Sequence, residues 1–216
     1  DGPVGFRAGV RKQLTRGADF IKLNPCVSNR RDERLYRFEM AVDEIRAACD
    51  EAHEQGAMVA AHTSGGPPLR ASIEAGCDTV EHAHWADDAT LELMIKRGTW
   101  LVPTLAVNLA TSSHVRTQPD ASQLTRRWAE ESERAKWERL TRARAAGVRV
   151  AAGSDAGFFL THGADNGLEI EAFVQGGYST LEALTIATAN GADLMGIDAG
   201  RLTKGNLADI LIVDGD

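Results

Sequence analysis

Short apolar runs alternate along this chain with longer stretches whose apolar residues recur every three or four positions. The short runs read as buried strands and the longer ones as amphipathic helices. Residues 18–23, ADFIKL, form the first strand and follow a helix over about 5–16 that Gly17 closes. Residues 39–55 carry Ala41, Ile45, Ala48 and Ala52 on one face, so a helix is expected there, ending at Gly56. Strands follow at 57–62, 78–82, 100–104 and 148–153. Between them lie a short helix at 68–75, a helix at 87–97 and a long charged helix at about 120–146. Two more helices are expected at about 167–176 and 180–194, the second with a good N-cap region around Thr180 and Glu182.

Strand and helix thus alternate five times, and most of the helices run into a glycine just before the next strand. That order is the signature of parallel βαβ units, and an α/β fold is expected. No G-x-G-x-x-G is present, so dinucleotide binding has no support. The stretch 126–144, RRWAEESERAKWERLTRAR, reads as a solvated helix laced with i,i+4 charge pairs.

Composition narrows the function classes. With 216 residues and 43% hydrophobic positions the chain can build a real core. A net charge of −7 and a pI near 5.4 show no electrostatic footprint for nucleic acid. No apolar stretch approaches the ~20 residues of a membrane helix. A small-molecule substrate is therefore the expected partner, with neither nucleic acid nor membrane; a homo-oligomer is compatible with the chain. Cys26, Cys49 and Cys77 fit neither a zinc-finger nor a CxxC spacing and read as small buried hydrophobes in a reducing compartment, so the cytoplasm is expected. The chain opens on Asp1-Gly2-Pro3 without methionine and closes on a strand-like run, 210–213, which suggests a fragment of a longer protein.

Candidate chemistry sits where the strands end. Lys22 lies at the end of the first, His62 of the second and His82 of the third, and Asp155 follows the fifth. In a (β/α)₈ barrel the carboxyl ends of the strands converge on one mouth, which holds the active site. Two imidazoles and a carboxylate are also a ligand set for Zn²⁺ and related ions. His84 stands two residues beyond His82, where both could face the mouth. Asn24 and Arg30-Arg31 sit on the loop after the first strand, and His162 on the loop after Asp155. His53 and His114 read as surface residues, and Trp85 and Trp100 as packing.

The runs F-I-K-L (20–23), V-A-A-H (59–62), T-V-E-H (79–82), V-P-T-L (102–105) and G-S-D-A-G (153–157) together resemble the amidohydrolase superfamily. So does the tail E-A-L-T-I-A-T-x-N-x-A (182–192), followed by K-G-N-L-A-D-I-L-I-V-D-G (204–215). The branch they resemble is that of imidazolonepropionase-related, Xaa-Pro dipeptidase-like hydrolases. The resemblance implies a TIM-like (β/α)₈ barrel present in part, with strands four to eight over residues 1–203. Residues 204–216 would then return to a β-sandwich whose partner strands are missing. It implies a carbamylated Lys22 bridging two divalent ions, zinc first and manganese, cobalt or iron as alternatives. His62 and His82 would ligate the more exposed ion. Asp155 would be both a ligand and the general base for a metal-activated water. The implied reaction is hydrolysis of an amide-type C–N bond in a dipeptide, an N-acyl amino acid or a cyclic amide. His162 matches a histidine-glycine near the family's substrate pocket; His84 and Asn24 are further candidates for substrate contact.

Departures from the pattern define the rivals. No H-x-H precedes Lys22, and the one at His82–His84 comes too late in the chain. Ala83 stands where the family's strand-6 motif usually has glycine. Thr63-Ser64-Gly65 replaces the tyrosine that often follows the strand-5 histidine, which puts recognition of a proline-type carboxylate in doubt. A mononuclear deaminase-like member, binding one ion at His62, His82 and Asp155 with Lys22 unmodified, is one alternative, although the expected H-x-x-E is absent; an unmodified Lys22 paired with Asp155 in an apo or mononuclear site is the other reading of that lysine. A non-catalytic fragment with an incomplete site is another, and such a chain is expected to be inactive or poorly soluble alone. No G-x-S-x-G elbow supports a serine hydrolase.

Overall fold

The computed structural model describes residues 2–27, 37–157 and 166–214. Its centre is a four-stranded parallel sheet in the order β1-β4-β5-β6. The strands are β1 (Phe20–Leu23), β4 (Met58–Gly65), β5 (Thr79–Trp85) and β6 (Trp100–Val102). A small antiparallel pair, β2 (Cys26–Val27) with β3 (Arg37–Phe38), follows β1 and has no forerunner in the sequence pattern.

Helices connect the strands in the expected alternation. α1 (Gly2–Thr15) leads into β1, α2 (Val42–Glu54) precedes β4, α3 (Gly66–Ala75) joins β4 to β5, and α4 (Asp88–Arg97) joins β5 to β6. Gly76 and Gly98 close α3 and α4 at φ +102 and +73, a left-handed conformation that costs glycine nothing. One sheet face carries Ile21, Val59, Ala61, Val80 and Leu101, all buried within the main core with Ile45, Leu69, Ile73 and Leu91 of the helices. The opposite face carries Phe20, Lys22, Met58, Ala60 and His62 and is partly open to solvent.

Beyond β6 come α5 (Leu105–Thr117), α6 (Gln123–Ala146), α7 (Asn166–Gln175), α8 (Thr180–Ala187) and α9 (Ala189–Met195). Several expectations change here. α5 occupies a stretch for which no helix was expected, so His114 lies on a helix, exposed as expected. The expected strand at 148–153 is reduced to one parallel bridge, Leu101 with Val150. Its remaining polar groups go elsewhere: Ala152 N–H donates to the Ile186 carbonyl at 3.4 Å, and Asn190 Nδ2 donates to the Val150 carbonyl at 2.8 Å. The single helix expected at 180–194 breaks at Thr188, whose φ and ψ are −120° and −80°. The run 210–213 joins no strand; Leu211 and Ile212 are 86% and 91% exposed.

α6 is also less solvated than its charge suggests. Arg127–Glu131 and Arg134–Glu138 form the expected i,i+4 pairs. Lys136 and Arg139, however, are fully buried. Burial lowers Lys136 to about 8 and Arg139 to about 10. The Lys136 ammonium lies 4.2 Å from the Trp137 ring centre, and Arg139 reaches under β5. All three cysteines are free and buried, as expected, with the sulfurs of Cys49 and Cys77 at 3.4 Å.

Candidate active site

The structure brings four of the singled-out residues to the carboxyl ends of the strands. Lys22 stands on β1, His62 on β4, His82 on β5, and Asp155 just past the Val150 bridge. Strand register explains Lys22 and His62. Lys22 aligns with Ala60 and Thr79, and His62 aligns with Glu81, so these side chains share the sheet face away from the helices.

His82 should by alternation point to the other face. It does not, because the strand breaks its alternation there. His82 and Ala83 have φ of +64° and +43°, inside β5. Thr104 and Asp155 are the other non-glycine residues at positive φ among those described, at +50° and +51°. Each such position costs an L-residue about 1–2 kcal/mol. All four lie at the same end of the sheet, and strain of this kind concentrates at functional sites.

The two imidazoles meet there. His82 Nε2 lies 2.8 Å from His62 Nδ1, with the rings edge-on at 70°. His82 Nδ1 lies 2.7 Å from Thr104 Oγ1, and the Thr104 hydroxyl donates to the Pro103 carbonyl at 2.8 Å. Arg139 Nη1 donates to the His82 carbonyl at 2.8 Å and thereby holds the left-handed turn from below. Burial lowers the basicity of both rings, and the Lys22 charge lowers that of His62 further. Both shifts favour the neutral imidazole, the form that ligates a cation.

Lys22 pairs with Glu81, not with Asp155 as the unmodified-lysine alternative had it. Glu81 also accepts a hydrogen bond from Thr79 Oγ1 at 2.5 Å. Asp155 is exposed yet close enough to interact electrostatically with both Lys22 and His62. Partial withdrawal from water raises its carboxyl, while Lys22 and His62 oppose that rise. A raised carboxyl is a better proton acceptor.

His84 is buried, stacked parallel to His82 at 5.8 Å, and bonded to Asn108 Nδ2 at 3.1 Å. Burial, with Arg139 and Lys136 adding to it, lowers His84 to about 3, so the ring is neutral. It packs behind the site rather than lining an open pocket. Asn24 is exposed just past β1. His162 and Arg30-Arg31 lie outside the described residues. A cavity of about 360 Å³, lined by Gly153, Ser154, Asn166 and Glu169 among others, borders the strand end that leads to Asp155.

The donor types suit a divalent ion: two neutral imidazole nitrogens and a carboxylate. Two of them already converge. An ammonium paired with Glu81 does not suit one. Among the described residues, no three His, Cys, Asp or Glu side chains are gathered closely enough to enclose a metal.

Sequence reasoning passed over Glu81, Thr104, Asn108 and Arg139. Glu81 was within reach, since the period-2 pattern puts it on the same face as Lys22. Thr104 lies in the run V-P-T-L already singled out, but Asn108 and Arg139 come from α5 and α6, and nothing local marks them.

Among the described residues, a four-stranded parallel sheet covered by helices on one face, with a histidine pair towards its carboxyl edge, defines an α/β architecture. The chain belongs to the amidohydrolase family, whose profile matches residues 7–216. It is 31% identical to ochratoxinase of Aspergillus niger over 223 aligned residues, covering 99% of this chain and 44% of ochratoxinase. The ochratoxinase crystal structure superposes with a TM-score of 0.84 at 28% identity, covering 97% of this chain and 47% of that one. A Xaa-Pro dipeptidase with methionine in its active site superposes with a TM-score of 0.85 at 27% identity, covering 96% and 52% of the two chains. A prolidase complexed with N-methylphosphonate-L-proline does so with a TM-score of 0.85 at 27% identity, covering 100% and 53%. The chain thus spans about half the length of these relatives.

Proposed function

We propose that this chain carries the catalytic half-site of a metal-dependent hydrolase that cleaves an amide C–N bond in a small molecule, such as an N-acyl amino acid, a dipeptide or a cyclic amide. One observation supports this most: His62 Nδ1 and His82 Nε2 face each other at 2.8 Å within electrostatic reach of Asp155. The family and the two kinds of relative, ochratoxinase and Xaa-Pro dipeptidase, point to the same chemistry.

In this reading His62, His82 and Asp155 hold a divalent ion, zinc first by ligand type. Such an ion acidifies water and polarises an amide carbonyl. Asp155 would take the proton from the attacking water and pass it to the leaving nitrogen. Lys22 pairs with Glu81 in the metal-free chain. Carbamylation of Lys22 would replace that cation with an anion able to bridge two ions. The deaminase-like alternative keeps Lys22 unmodified and one ion.

The deciding experiment is an amine-release assay with the metal-loaded protein on a panel of N-acyl amino acids, dipeptides and cyclic amides. Release of an amino acid is expected. Release of ammonia alone would favour the deaminase reading, and no release from any member would overturn the proposal. Two ions per chain, with Lys22→Ala inactive and restored by short carboxylic acids, is the binuclear expectation. A single ion with fully active Lys22→Ala would remove it.

A further inference from the structure

His82 is held at three points, and only one of them sets the direction of its ring. The backbone is fixed: φ is +64°, the next residue is also left-handed, and the buried Arg139 guanidinium clamps the His82 carbonyl at 2.8 Å. Stacking against His84 at an interplanar angle of 7° fixes the ring plane. Neither contact decides which ring nitrogen carries the proton. That choice falls to Thr104, which is 3% exposed.

Two donor assignments fit these distances, and one of them satisfies the Pro103 carbonyl as well as His82. The Thr104 hydroxyl has a single proton, and the Pro103 carbonyl, a pure acceptor, receives it at 2.8 Å. Thr104 Oγ1 is then an acceptor toward His82 Nδ1 at 2.7 Å, so Nδ1 bears the ring proton. His82 Nε2 is left with its lone pair, directed at His62. In the metal-free chain His62 Nδ1–H is then the donor across the 2.8 Å gap, and a bound ion would take the place of that proton. The chain of polarity runs from His62 through His82 and Thr104 to the Pro103 carbonyl.

We propose that Thr104 is a positioning residue for the reaction: its hydroxyl fixes the His82 tautomer so that the Nε2 lone pair is presented to the site before any ion arrives. The strained φ of +50° at Thr104 fits this role, because a relaxed backbone would give up the placement of that oxygen. A hydrogen bond to the far nitrogen of a ligating imidazole typically contributes 10–100-fold in metal affinity. The inference rests on the proposed function only in naming His82 as a ligand; the tautomer itself can be read without metal.

The test uses the full chain. Nitrogen NMR of the ¹⁵N-histidine-labelled protein without metal is expected to show His82 Nδ1 protonated and Nε2 bare. The opposite tautomer in the wild-type chain would overturn the proposal at once. Thr104→Val keeps the branched shape but removes the acceptor, and a mixture of His82 tautomers is expected. Zn²⁺ affinity, measured by chelator competition, should fall at least about 10-fold. Thr104→Ser should restore both. A wild-type tautomer and unchanged Zn²⁺ affinity in a folded Thr104→Val would overturn the role. Should Thr104→Val fail to fold, the wild-type tautomer and the Zn²⁺ affinity of Thr104→Ser decide. Amide hydrolysis absent from every variant, with the tautomer as assigned, would sink the proposed function and leave this inference standing.

Discussion

Asp155 combines two demands that one substitution separates. Its backbone is left-handed at φ +51°, and its carboxyl stands within electrostatic reach of Lys22 and His62. Asparagine tolerates the left-handed region as well as aspartate does but cannot accept a proton at the pH of the reaction. Asp155→Asn is therefore expected to unfold within about 0.5 kcal/mol of the wild type, as surface substitutions generally do. Its kcat should fall about 10²–10⁴-fold, the usual contribution of a general base. Thermal unfolding and initial rates on the same preparations check this. A variant of wild-type rate would remove Asp155 from the proton path. At this scale the sequence was partly readable. Lys22, His62 and Asp155 sit where strand ends and alternation put them. His82 is a different case: strict alternation would turn it away from the site, and only the paired left-handed residues His82 and Ala83 bring it back. The sequence reading ends this strand at His82, whereas β5 runs on to Trp85, and no periodicity contains the turn that aims the ring. Ala83 now has a physical reading, since a left-handed position suits the glycine usual there.

α5 shows how an element can lack a local signature. Its first turn is capped from 63 and 64 positions away: Glu169 accepts Leu105 N–H at 3.0 Å and Ala106 N–H at 2.6 Å. A carboxylate at a helix N-terminus is favourable, but no window of sequence around Thr104 contains it. By contrast, α8 announces itself locally through the capping box of Ser179 and Glu182, one residue ahead of the expected start. The Glu169 cap also has a pH signature. Burial raises its carboxyl from 4.5 to about 7, against the opposing pull of the two backbone donors, Arg139 and Lys136. The folded chain thus holds this proton more tightly than the unfolded one. The contribution is complete below pH 4.5 and is lost as the pH rises through about 7. His62, His82 and His84 act in the opposite sense, because their lowered basicity gives stability that is present above 6.5 and fades with acid. Comparing wild type with Glu169→Gln isolates the carboxyl. Denaturant melts at pH 5 and pH 8 should show the wild type losing on the order of 2–3 kcal/mol more than the variant. Equal losses would mean that Glu169 does not titrate in this range.

At the scale of the molecule, the alternation of strand and helix was legible throughout, while the number of strands was not. Val148 to Gly153 has the apolar run of a barrel strand, yet Asn190 and the Ile186 carbonyl take up backbone groups that a ladder would need, and one bridge remains. The sheet among the described residues is open, with its helix-covered face buried and its other face partly wet. The candidate site lies at the carboxyl edge of that open face, where cation binding would add cross-links among β4, β5 and the segment after Val150. Ligand binding to the folded state alone stabilises it by RT ln(1 + [L]/Kd), about 2.7 kcal/mol at a hundredfold excess over Kd. For a chain of this size that corresponds to roughly 5–10 °C in melting temperature. Adding Zn²⁺ to the chelator-treated protein should produce such a rise, and restoring the chelator should reverse it. His82→Asn should lose the rise while keeping the metal-free melting temperature within a few degrees, because Asn at φ +64° is tolerated. Glu81→Gln should keep it, since Glu81 pairs with Lys22 beside the proposed ligands without being one of them. A Zn²⁺-dependent rise that survives His82→Asn would place the ion elsewhere on the chain and remove the histidine pair as its seat.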